Sequence, residues 1–207
     1  MAMIISKNTK SYPINTITRV VRNHMRLVAE DGELYSNALR CVKMAFDIAE
    51  LYTNRIIVSC NATFGYNVFA HIVELPTAPI SDIINISYYD STDNLQILDA
   101  GSYKLSASEN RSLVEFATLP DLSPNRTINR LLITAKCGYG DYLTLDGDER
   151  DTLPPLPGFI EAATQLLAGT LFDADGDVII GRQVNALPIT AQRLLNNYKL
   201  SPYGEDL

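Results

Sequence analysis

The chain has 207 residues, of which 46% are hydrophobic and 20% are charged, a composition typical of a folded globular protein rather than a disordered one. Its formal charge of −7 and its isoelectric point near 4.8 argue against a broad electropositive surface for binding nucleic acid. The three cysteines, Cys41, Cys60 and Cys137, are odd in number and widely spaced, so we expect reduced, buried thiols and no disulfide framework.

Residues 1–12 lack the apolar run of a secretion signal, and no apolar run reaches the ~18 residues of a membrane span. We therefore expect neither a secretion signal nor a membrane-spanning segment.

The N-terminal part of the chain predicts two helices. Apolar residues from Asn15 to Val28 recur at helical spacing and predict a short amphipathic helix. A second helix is predicted from about Asp31 to Thr53, with a wide apolar face. Its charged residues form one narrow stripe that we expect to face water: Arg40, Lys43, Asp47 and Glu50.

The pattern beyond the second helix changes to that of β-strands. Residues 54–140 contain short runs of β-branched and aromatic residues separated by Gly, Pro, Asn and Asp. The sequence from Asp90 to Asn94 is typical of a turn between two such runs. We therefore predict an inserted antiparallel β region of five or six strands.

Helical spacing returns after the prolines of residues 153–157, which favour extended backbone. One helix is predicted over residues 159–172 and a last short helix after Leu187–Pro188, as far as Tyr198. Neither pair of helices can bury its apolar face alone, so we predict a single α+β domain spanning residues 1–207. In it, residues 14–53 and 154–200 form one small helical bundle, the β region is inserted at 54–140, and 201–207 form an extended tail.

The sequence offers no recognisable catalytic, cofactor-binding or metal-binding motif. His24 and His71 lack spaced partners and are interpreted as structural, and neither a nucleophile elbow nor a phosphate-binding loop occurs. The loop from Asp173 to Asp177 is a candidate cation loop, but its Gly176 is fourth rather than sixth and no closing Glu follows. We interpret it as a solvated acidic loop, with a cation site as the alternative.

Nearly all the net charge lies in one stretch. Residues 139–177 carry nine acidic residues against Arg150 alone, a net charge of −8, while the rest of the chain carries +1. Such a surface repels a passing polyanion or meets a basic partner. A rival interpretation is an enzyme that uses paired carboxylates such as Asp146 and Glu149 as acid and base. A second rival is a binding module that uses the β region.

Short motifs follow one another along the chain at 49–57, 75–80 leading into 83–90, 103–105, 132–140, the proline-rich 153–157, and Leu187–Pro188 to Tyr198. This ordered series resembles the head-tail connector, or adaptor, proteins of tailed bacteriophages, the class in which a β region is inserted between helices. The resemblance runs from about residue 16 to residue 200, and no single motif carries it. The chain departs from the family at 171–175, where the family usually has aromatic and basic residues.

The resemblance implies a structural protein of the virion neck, made in the host cytoplasm, and no catalyst or cofactor. Members form rings, commonly of twelve copies, that dock on the portal protein and hold the tail or a stopper protein. DNA passes through the central channel without specific binding, which suits an acidic lining. On this interpretation an acidic loop faces the channel or the portal: Asp141, Asp146, Asp148, Glu149 and Asp151.

The last seven residues, 201–207, lack helical spacing. Simple fraying explains such a segment. The functional alternative is a tail that orders on assembly, with Tyr203 and Leu207 as anchors on a neighbouring subunit or on the portal.

Overall fold

The structure is a computed structural model that describes residues 2–8, 10–28, 32–68, 70–140, 153–175 and 187–200. Within these residues the elements are β1 (Ala2–Lys7), α1 (Ile14–Arg19), α2 (Glu33–Thr53), β2 (Cys60–Tyr66), β3 (Ile72–Leu75), β4 (Ile80–Tyr89), β5 (Leu95–Ile97), β6 (Tyr103–Ala107), β7 (Ser112–Phe116), β8 (Leu131–Cys137), α3 (Gly158–Asp175) and α4 (Ile189–Asn196). Helices combined with antiparallel strands confirm the predicted α+β fold class.

The helices from the two ends of the chain pack around one apolar core. Helix α2 lies mainly against α3, and α3 lies against α4. Residues from both ends of the chain meet in this core: Ile17, Val20, Val21, Val42, Phe46, Ile160, Leu167 and Leu195. Each of these helices alone presents one apolar face, so their association removes from water the surface that no single helix can cover.

The first helix is shorter than its sequence pattern predicts. Helix α1 ends at Arg19 and continues as one π-helical turn, Val20–His24. Arg26 has a positive φ of 58°, a left-handed conformation that a right-handed helix cannot continue through. The prediction of a helix as far as Val28 was therefore wrong at its C-terminal end.

The β region forms two antiparallel sheets. The larger has the strand order β1-β2-β8-β4-β5 and the smaller has the order β3-β7-β6. Alternate residues of β8 are buried, as expected for a sheet with one covered face. A second apolar core lies between the sheets, with Phe64, Ile86, Val114, Phe116 and Ile133 among its members.

The predicted number of strands was too low. Seven strands occur among the described residues between 54 and 140, and β1 joins the larger sheet from the N-terminal end of the chain. Strand β5 has three residues, too few for an alternating pattern to stand out. Strand β1 is held by pairing with β2, a contact between distant segments that local periodicity does not report.

Candidate interface between subunits

Helix α2 also carries apolar side chains outside its core-facing side. Its residues Leu34, Met44 and Leu51 are exposed, Leu51 by 85%, and the half-buried Ile48 beside them packs partly against the helical core. Their spacing places them on one side of the helix, whereas Ala38, Val42, Ala45 and Ala49 face the bundle core. We call Leu34, Met44, Ile48 and Leu51 the α2 strip. Exposed apolar side chains that lie on one side of a helix are typical of a surface that another protein covers.

The charged stripe predicted on α2 is solvent-facing only in part. Arg40, Lys43 and Asp47 are exposed, but Glu50 is buried, so the expectation that all four face water was wrong at Glu50. Glu50 Oε1 accepts hydrogen bonds from the backbone N–H groups of Ile57 and Val58, each at 2.8 Å. The carboxylate thus holds the segment that leaves α2.

Glu50 also forms an ion pair with the N-terminal arm of the chain. Lys10 Nζ lies 2.7 Å from Glu50 Oε2 and also contacts Asp47. Burial opposes the positive charge of Lys10, but hydrogen bonds to Asp47 and Glu50 outweigh this effect and raise the pKa of the lysine. Ile56 belongs to the β core, whereas Ile57 belongs to the helical core, so Glu50 stabilises the point where the two cores join.

Arg55 fixes the other side of the same junction. Its guanidinium is buried and donates to the carbonyl oxygens of Tyr198, Ala78 and Glu109 and to the side-chain oxygen of Asn110. The arginine thereby connects the end of α2 to the end of α4, to the loop before β4 and to the β6–β7 turn. Five N–H donors in a planar group suit this multiple contact better than the single ammonium of lysine.

The segment that follows α4 is attached to the C-terminal end of α2. The Tyr52 hydroxyl donates to Asn196 Oδ1 at 2.6 Å, and the Leu200 N–H donates to the Thr53 carbonyl at 2.8 Å. The last residue of α4 and Leu200 are thus both bonded to the C-terminal end of α2.

A groove lies between the α2 strip and this segment. It is open to solvent and has a volume of about 590 Å³. Its lining is mostly apolar and comprises Ile48, Leu51, Tyr52, Asn54, Leu187, Lys199 and Leu200. We call it the C-terminal groove. A smaller cavity of about 280 Å³ adjoins it, shares Leu51 and Asn54 with it, and includes Lys7.

Several residues predicted from the sequence to have functional roles lie outside the described residues. These are the acidic-loop residues Asp141, Asp146, Asp148, Glu149 and Asp151 and the tail residues Tyr203 and Leu207. The pair Asp146 and Glu149, on which the enzyme alternative depends, is therefore not placed. Of the candidate cation loop, the part from Gly176 onward is likewise outside the described residues, while Asp173 is exposed.

The two histidines lie in different parts of the molecule. His24 is exposed, at the end of the π-helical turn near Gly169. His71 precedes β3, with its ring Nδ1 3.3 Å from the Phe116 carbonyl oxygen. In the part of the chain that the structure describes, no group of three or more His, Cys, Asp or Glu side chains could hold a metal ion. In that same part, no helix has the length and apolar composition needed to cross a membrane.

Sequence comparison finds no matching family model and no significantly similar curated protein. Comparison of structures does find chains of similar fold. A chain in the neck of an empty gene transfer agent (GTA) particle, computed with C6 symmetry, superimposes with a TM-score of 0.68 at 19% identity, covering 95% of this chain and 96% of that one. This protein has the fold of a GTA neck protein. The match covers the bundle and the β region together, and it confirms, at the level of the fold, the resemblance to neck connectors.

Two further GTA structures contain chains of the same fold. One is the virion of the native GTA particle, with a TM-score of 0.68 at 18% identity, covering 97% of this chain and 96% of that one. The other is the neck of the native particle computed with C12 symmetry, with a TM-score of 0.65 at 16% identity, covering 95% of this chain and 96% of that one. The fold is thus shared along nearly the whole of each chain at low sequence identity.

Proposed function

We propose that this protein is a structural subunit of the neck of a tailed bacteriophage or a related particle, where it forms a ring that joins the capsid to the tail. The observation that carries this proposal is the shared fold with chains of GTA necks over 95% of the sequence. The role is one of assembly rather than catalysis. The protein is made in the host cytoplasm and works in the virion.

The α2 strip supplies one side of the contact between neighbouring copies. A closed ring is built from heterologous contacts, in which one surface of each copy meets a different surface of the next. Leu51, which is 85% exposed, and the adjoining Met44 are side chains that such a contact would remove from water. The C6 and C12 symmetries of the similar neck structures support ring assembly, and we propose twelve copies.

The ring docks on the portal protein and presents its other face to the tail or to a stopper protein. DNA passes through its centre without specific binding. The charge of −8 over residues 139–177 supports this arrangement, because a negatively charged lining removes the counterion-release gain that favours DNA binding. The acidic loop that faces the channel or the portal comprises Asp141, Asp146, Asp148, Glu149 and Asp151.

The test is electron microscopy of the protein mixed with purified virion necks or portal rings. We expect symmetric density directly below the portal. A variant with Leu51→Glu should lose this density, whereas Ile97→Glu, which changes another strongly exposed aliphatic residue, on β5, should keep it. A protein that binds no portal, or a ring that places all five acidic residues on its outer rim, would contradict the corresponding part of the proposal.

A further inference from the structure

Two of the three cysteines face each other across the larger sheet. Cys60 is the first residue of β2 and Cys137 is the last residue of β8, and the two are direct partners in the antiparallel register of these strands. Side chains at directly opposite positions point to the same face of a sheet, and both residues belong to the apolar core of the β region. The third cysteine, Cys41, lies on α2 and outside this pair. The fold thus brings together two thiols that are far apart in the sequence.

The spacing of the pair suits a disulfide bond. Directly opposed residues of antiparallel strands have Cα atoms about 4.5–5.5 Å apart, and a disulfide joins Cα atoms about 4.4–6.8 Å apart. The Cβ atoms of opposed residues need to approach by at most about 1 Å to come within disulfide range. Burial and then the neighbouring Cys60 raise the pKa of the Cys137 thiol to about 12, which places the two sulfur atoms close together. Both cysteines end their strands, where a small shift of the backbone disturbs few ladder hydrogen bonds.

Cys60 is the member of the pair that lies nearer to solvent. It is 5% exposed, whereas Cys137 is fully buried. Burial and then the Glu50 carboxylate raise the pKa of the Cys60 thiol, while Lys7 and Lys10 act in the opposite direction and favour its thiolate. Cys60 also lines a solvent-open cavity of about 680 Å³ together with Lys7, Asn8, Ser11, Ser59 and Asn61. A small molecule in this cavity therefore lies beside Cys60.

The pair lies where the inserted β region is connected to the helical bundle. The chain enters the β region just before Cys60 and leaves it just after Cys137. The Tyr139 N–H donates to the Ile57 carbonyl at 2.9 Å, which holds the two connections side by side. A bond between Cys60 and Cys137 would join both connections covalently at the base of the β region.

We propose that Cys60 and Cys137 form an exchange site for small disulfides such as oxidised glutathione. The pair is a dithiol in the reducing cytoplasm of the host and becomes a cross-strand disulfide outside it. Only this timing rests on the proposed function, because the exchange itself needs a single copy of the chain and no ring.

The exchange takes place in two steps. The Cys60 thiolate attacks one sulfur of the small disulfide, forms a mixed disulfide with it and releases the first small thiol. The Cys137 thiolate then attacks the Cys60 sulfur, forms the Cys60–Cys137 bond and releases the second small thiol. The two protein thiols give up two protons and two electrons, and the two released thiols carry them away. Cys137 needs no access to solvent, because the sulfur that it attacks lies directly opposite it.

Glutathione buffers test the proposal on the full, folded chain. The protein is incubated with either reduced or oxidised glutathione in excess, quenched with acid, and analysed without reduction by intact mass and by tryptic peptides. Trypsin separates the three cysteines, because Lys43 and Lys136 lie between them. In excess oxidised glutathione we expect a monomer lighter by two hydrogen atoms, with the peptides of Cys60 and Cys137 joined. In excess reduced glutathione we expect the dithiol.

Serine variants provide matched controls. Cys41→Ser removes a buried thiol outside the pair and should form the disulfide in full. Cys137→Ser should stop at the mixed disulfide between Cys60 and glutathione, because the second thiolate is missing. Cys60→Ser should leave Cys137 unmodified in the folded protein. A urea unfolding curve shows that each variant is folded.

The disulfide should also stabilise the fold. It closes the chain from Cys60 to Cys137 into a loop in the unfolded state, so the equilibrium constant for unfolding should fall about a hundredfold relative to the reduced chain. The proposal is overturned if the folded chain stays reduced in oxidised glutathione, if other cysteine pairs or disulfide-linked dimers form instead, or if the oxidised chain is no more stable.

These outcomes are distinct from those that test the proposed function. A portal-bound ring built from a chain that fails the glutathione test leaves the proposed function standing. A Cys60–Cys137 disulfide in a chain that binds no portal supports the exchange site and contradicts portal docking.

Discussion

Truncating two leucines that differ only in their surroundings separates folding from assembly. Leu51 on α2 is 85% exposed, whereas Leu195 on α4 is fully buried in the helical core. Leu51→Ala and Leu195→Ala remove the same atoms from the same type of secondary structure. Any difference between the two variants therefore reports where the side chain is buried, in the subunit itself or only in the ring.

The expected magnitudes follow from these exposures. Leu195→Ala creates a cavity in a close-packed core and should lower the free energy of unfolding by about 2–5 kcal/mol. Leu51→Ala should change it by no more than about 0.5 kcal/mol, as is usual for surface positions. If a neighbouring copy buries Leu51, the truncation removes about 2 kcal/mol from each contact, which corresponds to roughly 30-fold weaker association.

Two assays on the same preparations decide the matter. Urea denaturation followed by circular dichroism gives the free energy of unfolding, and sedimentation with and without portal rings gives the association of subunits. We expect Leu51→Ala to fold normally and assemble poorly. Normal assembly of Leu51→Ala would refute the assignment of the α2 strip to the subunit contact, and a large loss of folding stability in that variant would refute the described packing of α2.

Three further predictions concern particular side chains. Glu50→Ala should lower the free energy of unfolding by more than Glu50→Gln, because only the glutamine keeps an acceptor for two buried N–H groups, each worth about 1–3 kcal/mol when left unpaired; equal losses in urea denaturation would contradict this role. Hydrogen bonds from Thr92 and Gln96 lower the pKa of Asp90 to about 2, so an NMR titration should find it there. The pKa of Asp90 is lower in the folded protein than in the unfolded chain, so its carboxylate adds to the free energy of unfolding above about pH 4, and this contribution is lost as the pH falls toward 2. If the difference in free energy of unfolding between the natural chain and Asp90→Asn grew on acidification, the sign of this prediction would be wrong. Burial raises the pKa of the Cys137 thiol to about 12. Maleimide at pH 8 should therefore modify Cys137 only as fast as the protein unfolds. Rapid labelling of Cys137 in the folded protein would disprove the burial of this thiol.

The elements with strong internal periodicity could be predicted from the sequence. Helix α2 was predicted from about Asp31 to Thr53 and is observed at Glu33–Thr53, because its apolar residues repeat every three or four positions along its whole length. Strand β8 lies in the region 54–140 for which the sequence predicts strands, and its alternate residues are buried. In both, local pattern and tertiary burial agree, so the period alone identifies the element.

The features that sequence reasoning missed depend on contacts between distant segments. Strand β1 exists through its pairing with β2, and Glu50 is buried because the N–H groups of Ile57 and Val58 and the ammonium of Lys10 converge on it. By its spacing Glu50 looks like one more member of a solvated stripe, and Arg55 looks like a surface residue after a helix end. Nothing in the sequence distinguishes a charge that faces water from one that is satisfied internally.

That internal satisfaction favours the proposed assembly surface at the C-terminal end of α2. Glu50 and Arg55 turn inward and bind backbone groups of both cores, so neither charge is among the exposed side chains at this end, which include Leu51, Asn54 and Lys199. Each charge removed from a surface lowers the cost of desolvating that surface when another copy covers it. Glu50 also fixes Ile57 and Val58, and Arg55 fixes Tyr198, so in the proposed ring this surface would be held in place before assembly and less conformational entropy would be lost on closure.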